Sequence, residues 1–181
     1  MDLREYLTLS SDPASRSIMG CQGRCSVGRG DLLFLDFVLC KYPDAKNIVE
    51  FGTGSGLTTY WLGLAMRLRG GSYVHSYDHQ PPKEAFVQAW PSSVLFHQKD
   101  LLAKYYPTMR LMTRGEHTLT IFDNGNKRKE VAMYAKDCDL FLVHDWPSEF
   151  GPADVPSTHR VIYQEEAEAM CSVYRLLERV L

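Results

Sequence analysis

The stretch NIVEFGTGSGLTT, residues 47–59, decides how this chain folds. Asn47 to Phe51 is a mostly apolar run of strand length, and it runs directly into Gly52, Gly54 and Gly56. Glycine has no Cβ, so three glycines at alternate positions let the backbone turn tightly and let another group come close. Beyond the turn, Tyr60, Trp61, Leu64, Ala65 and Leu68 recur at the helical period, and Gly70 with Gly71 closes the run. The segment therefore reads as one strand–turn–helix unit.

Working outward, the same alternation continues. A helix is predicted over Asp31 to Lys41 with Asp31 as its N-cap, and strands over Ser72–Asp78, Val94–Lys99, Leu119–Asp123, Asp139–His144 and Arg160–Gln164. Helices are predicted over Lys83–Trp90 and Leu101–Met112, and another carries Val131, Ala135 and Cys138 on one face. A last helix is expected from Glu165, with Met170, Tyr174, Leu177 and Leu181 on one side and no strand after it. Regular β/α alternation predicts an α/β fold, a doubly wound and mainly parallel sheet with helices on both faces. Residues 1–30 carry scattered apolar positions and many turn formers and read as an arm or lid, leaving 31–181 as a single ligand-binding domain.

Composition narrows the function classes. A chain of 181 residues with 45% hydrophobic and 23% charged residues is ordinary for one globular domain, far from the signature of disorder. The formal net charge of -2 supplies no positive field to gather phosphate backbone, so nucleic acid is a poor candidate partner. The basic run Lys127, Arg128, Lys129 reads as a solvated helix start. The longest apolar run, Leu32 to Cys40, is interrupted by Asp36, so no membrane span is expected. The amino terminus lacks the apolar core of a secretory signal, and five scattered cysteines argue against a disulfide framework. A cytoplasmic location with reduced thiols is the expectation, and a homo-oligomer is left open.

In an open parallel sheet, ligands bind outside the carboxyl ends of the strands, where strand order reverses. Strand-end residues are therefore the candidates. Glu50 stands two residues before the first glycine of a G-x-G-x-G turn, where it would repel a pyrophosphate and suit a cation such as the amino group and sulfonium of S-adenosylmethionine. Gly52, Thr53, Gly54, Ser55 and Gly56 form the loop around that ligand. Asp78, ending the second strand, can accept both ribose hydroxyls of an adenosine, with His79 beside it, and Asp100 after the third can receive the adenine amino group. Tyr77 and Trp146 either frame a ligand or simply pack.

With these residues in view, NIVEFGTGSGLTT, SYDH and the ends of strands four and five resemble the Rossmann-like class I S-adenosylmethionine-dependent methyltransferases. The run from Gly20 to Gly56 is loosely similar to the cephalosporin-hydroxylase and rhamnosyl O-methyltransferase group. The resemblance implies that Glu50 and the Gly52–Gly56 turn hold the methionine moiety, with Asp78 on the ribose and Asp100 near the adenine. It also implies a sheet that closes with an antiparallel seventh strand, which the pattern after Gln164 does not provide, so that strand is expected to be missing.

Strand four ends FDNGN and strand five VHDWP, so Asp123, Asn124, His144 and Asp145 should converge across the cleft. The resemblance to metal-using O-methyltransferases implies a divalent ion held by Asp123 and Asp145, with His144 or Asn124 as a further ligand because Trp146 replaces a ligand found in the catechol-type enzymes. Oxygen donors favour Mg²⁺, and His144 shifts the preference toward Mn²⁺. The metal-free alternative makes His144 a general base, its unperturbed pKa of about 6.5 suiting proton abstraction. The leading expectation is O-methylation of a small-molecule acceptor. The alternatives are a nucleic-acid or protein methyltransferase, against whose nucleic-acid amino form FDNGN lacks the [DNS]-P-P-[YFW] motif, and a non-catalytic cofactor-binding scaffold.

Overall fold

The structure, a computed structural model, describes residues 29–82, 84–113, 117–162 and 174–180. The helix α1 (Arg29–Lys41) leads into strand β1 (Asn47–Phe51) and helix α2 (Leu57–Leu68). Strand β2 (Tyr73–Asp78), helix α3 (Glu84–Ala89), strand β3 (Val94–Gln98) and the short helix α4 (Met109–Thr113) follow. The chain then forms β4 (Thr118–Phe122), α5 (Lys127–Tyr134), β5 (Leu140–Val143), β6 (His159–Ile162) and β7 (Arg175–Arg179).

Among the described residues these strands make one sheet in the order β3-β2-β1-β4-β5-β7-β6. β3, β2, β1, β4 and β5 are parallel, while β7 runs antiparallel to both β5 and β6. The doubly wound, Rossmann-like sheet is thus as expected, and the absence of its antiparallel strand is not. Leu176 pairs with Leu142 and Leu177 with Phe141, so the segment read as the end of a helix is an inner strand. Its flanking Arg175, Glu178 and Arg179 masked the alternation: Arg179 is tied to Asp139 at 2.7 Å and Glu178 to Arg160. Residues 163 and 164 of the predicted strand, 165–173 of the predicted helix, with Met170, and Leu181 lie outside the described residues, as do residues 1–28 of the predicted arm.

Two more expectations are corrected. Asp31 sits inside the first turn of α1, which begins at Arg29, and so is not its N-cap. The predicted helix over Leu101–Met112 survives only as Met109–Thr113. Pro107 cannot donate to a helix ladder, and the Asp100 carboxylate accepts from the N–H groups of Leu102 and Ala103, which holds a turn there instead.

Two apolar layers enclose the sheet, as strand alternation dictates. Ile48, Leu119, Ile121 and Leu142 face Phe34 and Val38 of α1 and Trp61 and Leu62 of α2. Val49, Phe51, Phe122 and Phe141 face Leu101, Met109, Val131 and Tyr134 on the other side. Phe51 lies edge-on to both Phe122 and Tyr134 at 5.0 Å, so the middle of the sheet is held by aromatic packing just below the glycine turn. Tyr77 and Trp146 belong to this second layer and are packing residues. Cys40 and Cys138 are free thiols. No helix among the described residues is long and apolar enough to cross a membrane.

A candidate active site

Strand order reverses between β1 and β4, and the backbone there brings three strand ends level. Gly52 N–H donates to the Tyr77 carbonyl (2.8 Å), Asp123 N–H to that of Phe51 (2.8 Å) and His144 N–H to that of Phe122 (3.1 Å). Gly52, Asp123 and His144 therefore stand side by side, each one residue beyond its strand. They line a cleft of about 260 Å³ together with Thr53, Ser55 and Asp145.

The glycines of the turn do different things. Gly52 has φ +100°, and a Cβ there would lie 2.5 Å from the Asp123 carbonyl oxygen, so its bareness serves the packing of two loops. Gly54, at φ +52°, has open space where a side chain would go, and its N–H donates to Asp78 Oδ2 at 2.9 Å. Gly56, at φ +87°, caps the amino end of α2.

Glu50 does not line the cleft. It is fully buried beneath the turn, where Oε2 accepts from Thr59 (2.5 Å) and Ser76 (2.6 Å) while Oε1 has no partner among the described residues. Burial pushes its pKa up to about 8 against the lowering effect of those two hydroxyls. Burial likewise pushes Glu130, on α5, up to about 8.

Both acids keep a proton in the folded chain that the unfolded chain gives up near pH 4.5, so stability is fully present below that pH and declines up to about pH 8. The wild-type melting temperature should accordingly fall between pH 5 and pH 8. The Glu50→Gln/Glu130→Gln double variant should lose several degrees of that fall, and parallel curves for the two proteins would refute it.

Of the other candidates, Asp78 is buried at the end of β2, with Oδ1 accepting from Gln80 N–H (3.0 Å) and facing the exposed His79 ring at 3.0 Å. Asp78 thus braces the glycine turn from the neighbouring strand. Asp100 is exposed and engaged in its own turn, outside the cleft lining.

The opposite wall is charged. Asp123 Oδ1 is 2.9 Å and Asp145 Oδ2 3.2 Å from His144 Nδ1, both off the ring N–H axis, so neither imidazole nitrogen makes an aligned hydrogen bond among the described residues. Burial alone would lower the His144 pKa. The adjacent Asp123 and the charge of Asp145 outweigh it and hold the pKa above the usual histidine value. Asp145 adopts φ +61°, a left-handed conformation uncommon outside glycine, which puts its carboxylate in the cleft rather than along β5. Asp123, His144 and Asp145 each offer a ligand atom within 4.8 Å of the others.

Lys127 is the residue the sequence reading missed. Its run does start α5, behind the N-cap Asn126, yet the lysine is 5% exposed and its Nζ lies 2.6 Å from Asp145 Oδ2, 3.1 Å from Glu149 and 3.7 Å from Asp123. Burial works against its charge, and these carboxylates more than restore it, so the Lys127 pKa is raised. A signal existed. A lysine in the first turn faces the positive end of the helix dipole, which is unfavourable unless anions are nearby. Arg128, next to it, is exposed and paired with Asp154.

No family model and no curated protein matches the sequence. Solved structures do. The chain is similar to the Mg–SAM complex of CmcI, with 17% identity over 89% of this chain and 76% of that one and a TM-score of 0.61. It is similar to cofactor-bound Rv0187 from MTB, with 17% identity over 98% and 96% of the two chains and a TM-score of 0.59. It also resembles a SAM-dependent O-methyltransferase from Thermotoga maritima, with 14% identity over 91% and 70% and a TM-score of 0.57. At these identities the likeness establishes the fold, which is that of the class I S-adenosylmethionine-dependent methyltransferases.

Proposed function

We propose that this chain, built on the class I methyltransferase fold, is an S-adenosylmethionine-dependent O-methyltransferase acting on a small-molecule hydroxyl. One observation carries the reading: a single cleft has the bare glycine turn on one wall and the Asp123–His144–Asp145 group on the other. The cofactor named for CmcI and for the Thermotoga enzyme is carried over on that ground.

The residues present fit it. Gly54 leaves room above the turn, Thr53, Ser55 and Thr58 line the cleft, and the acidic wall favours a cationic ligand. Bound there, S-adenosylmethionine supplies a methyl group made electrophilic by its sulfonium. Asp78 keeps the Gly54 loop in register, which supports a role for it on the ribose side of the ligand.

His144 then takes the acceptor hydroxyl's proton on a ring nitrogen, and Asp123 and Asp145 stabilise the imidazolium that forms. Burial of His144 beside the Tyr174 ring, centroids 4.5 Å apart, fixes the imidazole so that positioning does most of the work. A divalent ion does not fit this arrangement while Lys127 holds Asp145.

Calorimetric titration with S-adenosylmethionine and S-adenosylhomocysteine tests the reading, followed by transfer of labelled methyl to a panel of hydroxyl compounds. Micromolar binding is expected, weakened roughly tenfold or more in Asp78→Ala, as befits the loss of charge-assisted hydrogen bonds. Failure of wild type to bind either compound sinks the proposal.

A further inference from the structure

We propose that Lys127 is the resident cation of this cleft, standing where a divalent metal would otherwise bridge Asp123 and Asp145 and excluding that metal from the wild-type protein. Three carboxylates, Asp123, Asp145 and Glu149, surround its Nζ at 3.7, 2.6 and 3.1 Å. An ammonium so buried is retained only where its charge is matched, and these acids match it. The placement is also costly locally, because Lys127 opens a helix whose dipole is positive at that end. The acids, not the helix, put the lysine there.

Metal exclusion follows from distance and charge. A divalent ion ligated by Asp145 would sit about 2.1 Å from a carboxylate oxygen. With Nζ 2.6 Å from Oδ2, an ion on that same oxygen would lie within about 5 Å of the ammonium, and the two like charges would repel. The remaining donors do not compensate. His144 offers a ring nitrogen that already faces Asp123 and Asp145, and Asp123 is itself within reach of Lys127. Lys127 neutralises one of the three acids and holds the Asp145 oxygen at 2.6 Å that a dication would need.

The inference uses only the charges of the cleft and stands apart from the methyl-transfer reading, so its test omits both cofactor and acceptor. The full chain, freed of metal with a chelator, is titrated with Mn²⁺ alone, and free Mn²⁺ is followed by its electron paramagnetic resonance signal. Wild type and Lys127→Arg should take up no Mn²⁺ below about 1 mM, well short of dedicated carboxylate sites. Lys127→Met should bind at least roughly tenfold more tightly, and adding Asp145→Asn should abolish that gain. Lys127→Gln, which keeps a donor for Asp145, replaces the methionine variant if thermal unfolding shows that the latter does not fold. Micromolar uptake by wild type that Asp145→Asn removes would overturn the inference, as would a folded Lys127 variant that gains no affinity.

Discussion

Gly52→Ala is expected to cost the protein much of its stability and the shape of the cleft with it. The new Cβ would meet the Asp123 carbonyl oxygen at 2.5 Å, its carbon at 2.6 Å and Asn124 N at 2.7 Å, all of them backbone atoms. No rotamer relieves such a clash. Neither chain segment can step aside cheaply, because Gly52 N–H is bonded to Tyr77 and Asp123 N–H to Phe51. The left-handed φ of +100° adds strain of its own. Strain at such a φ and overpacking each cost about 1–3 kcal/mol, so a total of roughly 2–6 kcal/mol is expected from a stability of about 5–15 kcal/mol.

Each kcal/mol corresponds to roughly 2–4 °C in a chain of this size, so the melting temperature should drop by roughly 4–24 °C. Gly54→Ala is the control: its φ is also positive but its Cβ meets nothing, and a loss near 1 kcal/mol is expected. Equal melting temperatures for the two variants would show that the close approach of the loops has been misjudged.

His144→Gln should remove methyl transfer while leaving the cofactor site intact. Loss of a positioned general base lowers rates by about 10²–10⁴, whereas S-adenosylmethionine affinity should stay within a few-fold because the glycine wall is untouched. The wild-type rate should rise with pH as His144 loses its proton, with a midpoint above 6.5 because the neighbouring aspartates raise its pKa. In Asp123→Asn the largest raising influence is gone while burial remains, so the midpoint should move down. A rate independent of pH across this window, or a His144→Gln enzyme of wild-type rate, would leave His144 without a chemical role.

Much of the active wall could be read from strand ends alone. Asp123 and His144 are each one residue past an apolar run, and in a parallel sheet such residues are bound to stand level at one edge. The role of Glu50 was less legible. Its position predicted contact with a cationic ligand, whereas the side chain turns beneath the loop onto Thr59 and Ser76, 9 and 26 residues away in the chain. Asp100 lies at the right strand end but spends its carboxylate on its own turn. The Glu50 partners leave no local pattern, whereas the Asp100 contacts lie two and three residues on, a turn habit of aspartate that is local.

The sequence by itself determined the strand–glycine-turn–helix unit, the alternation that builds the parallel sheet, and which residues stand at its carboxyl edge. All of these follow from short-range rules: the period of apolar positions and the freedom of glycine. Only the tertiary structure decided that Arg175–Arg179 is a strand, since its hydrogen bonds come from β5 and β6 on either side, over 10 residues away. It alone decided that Lys127 is buried among three acids rather than solvated with Arg128. A buried charge is tolerable only where opposite charges from distant segments converge on it, and that convergence exists only once the chain has folded.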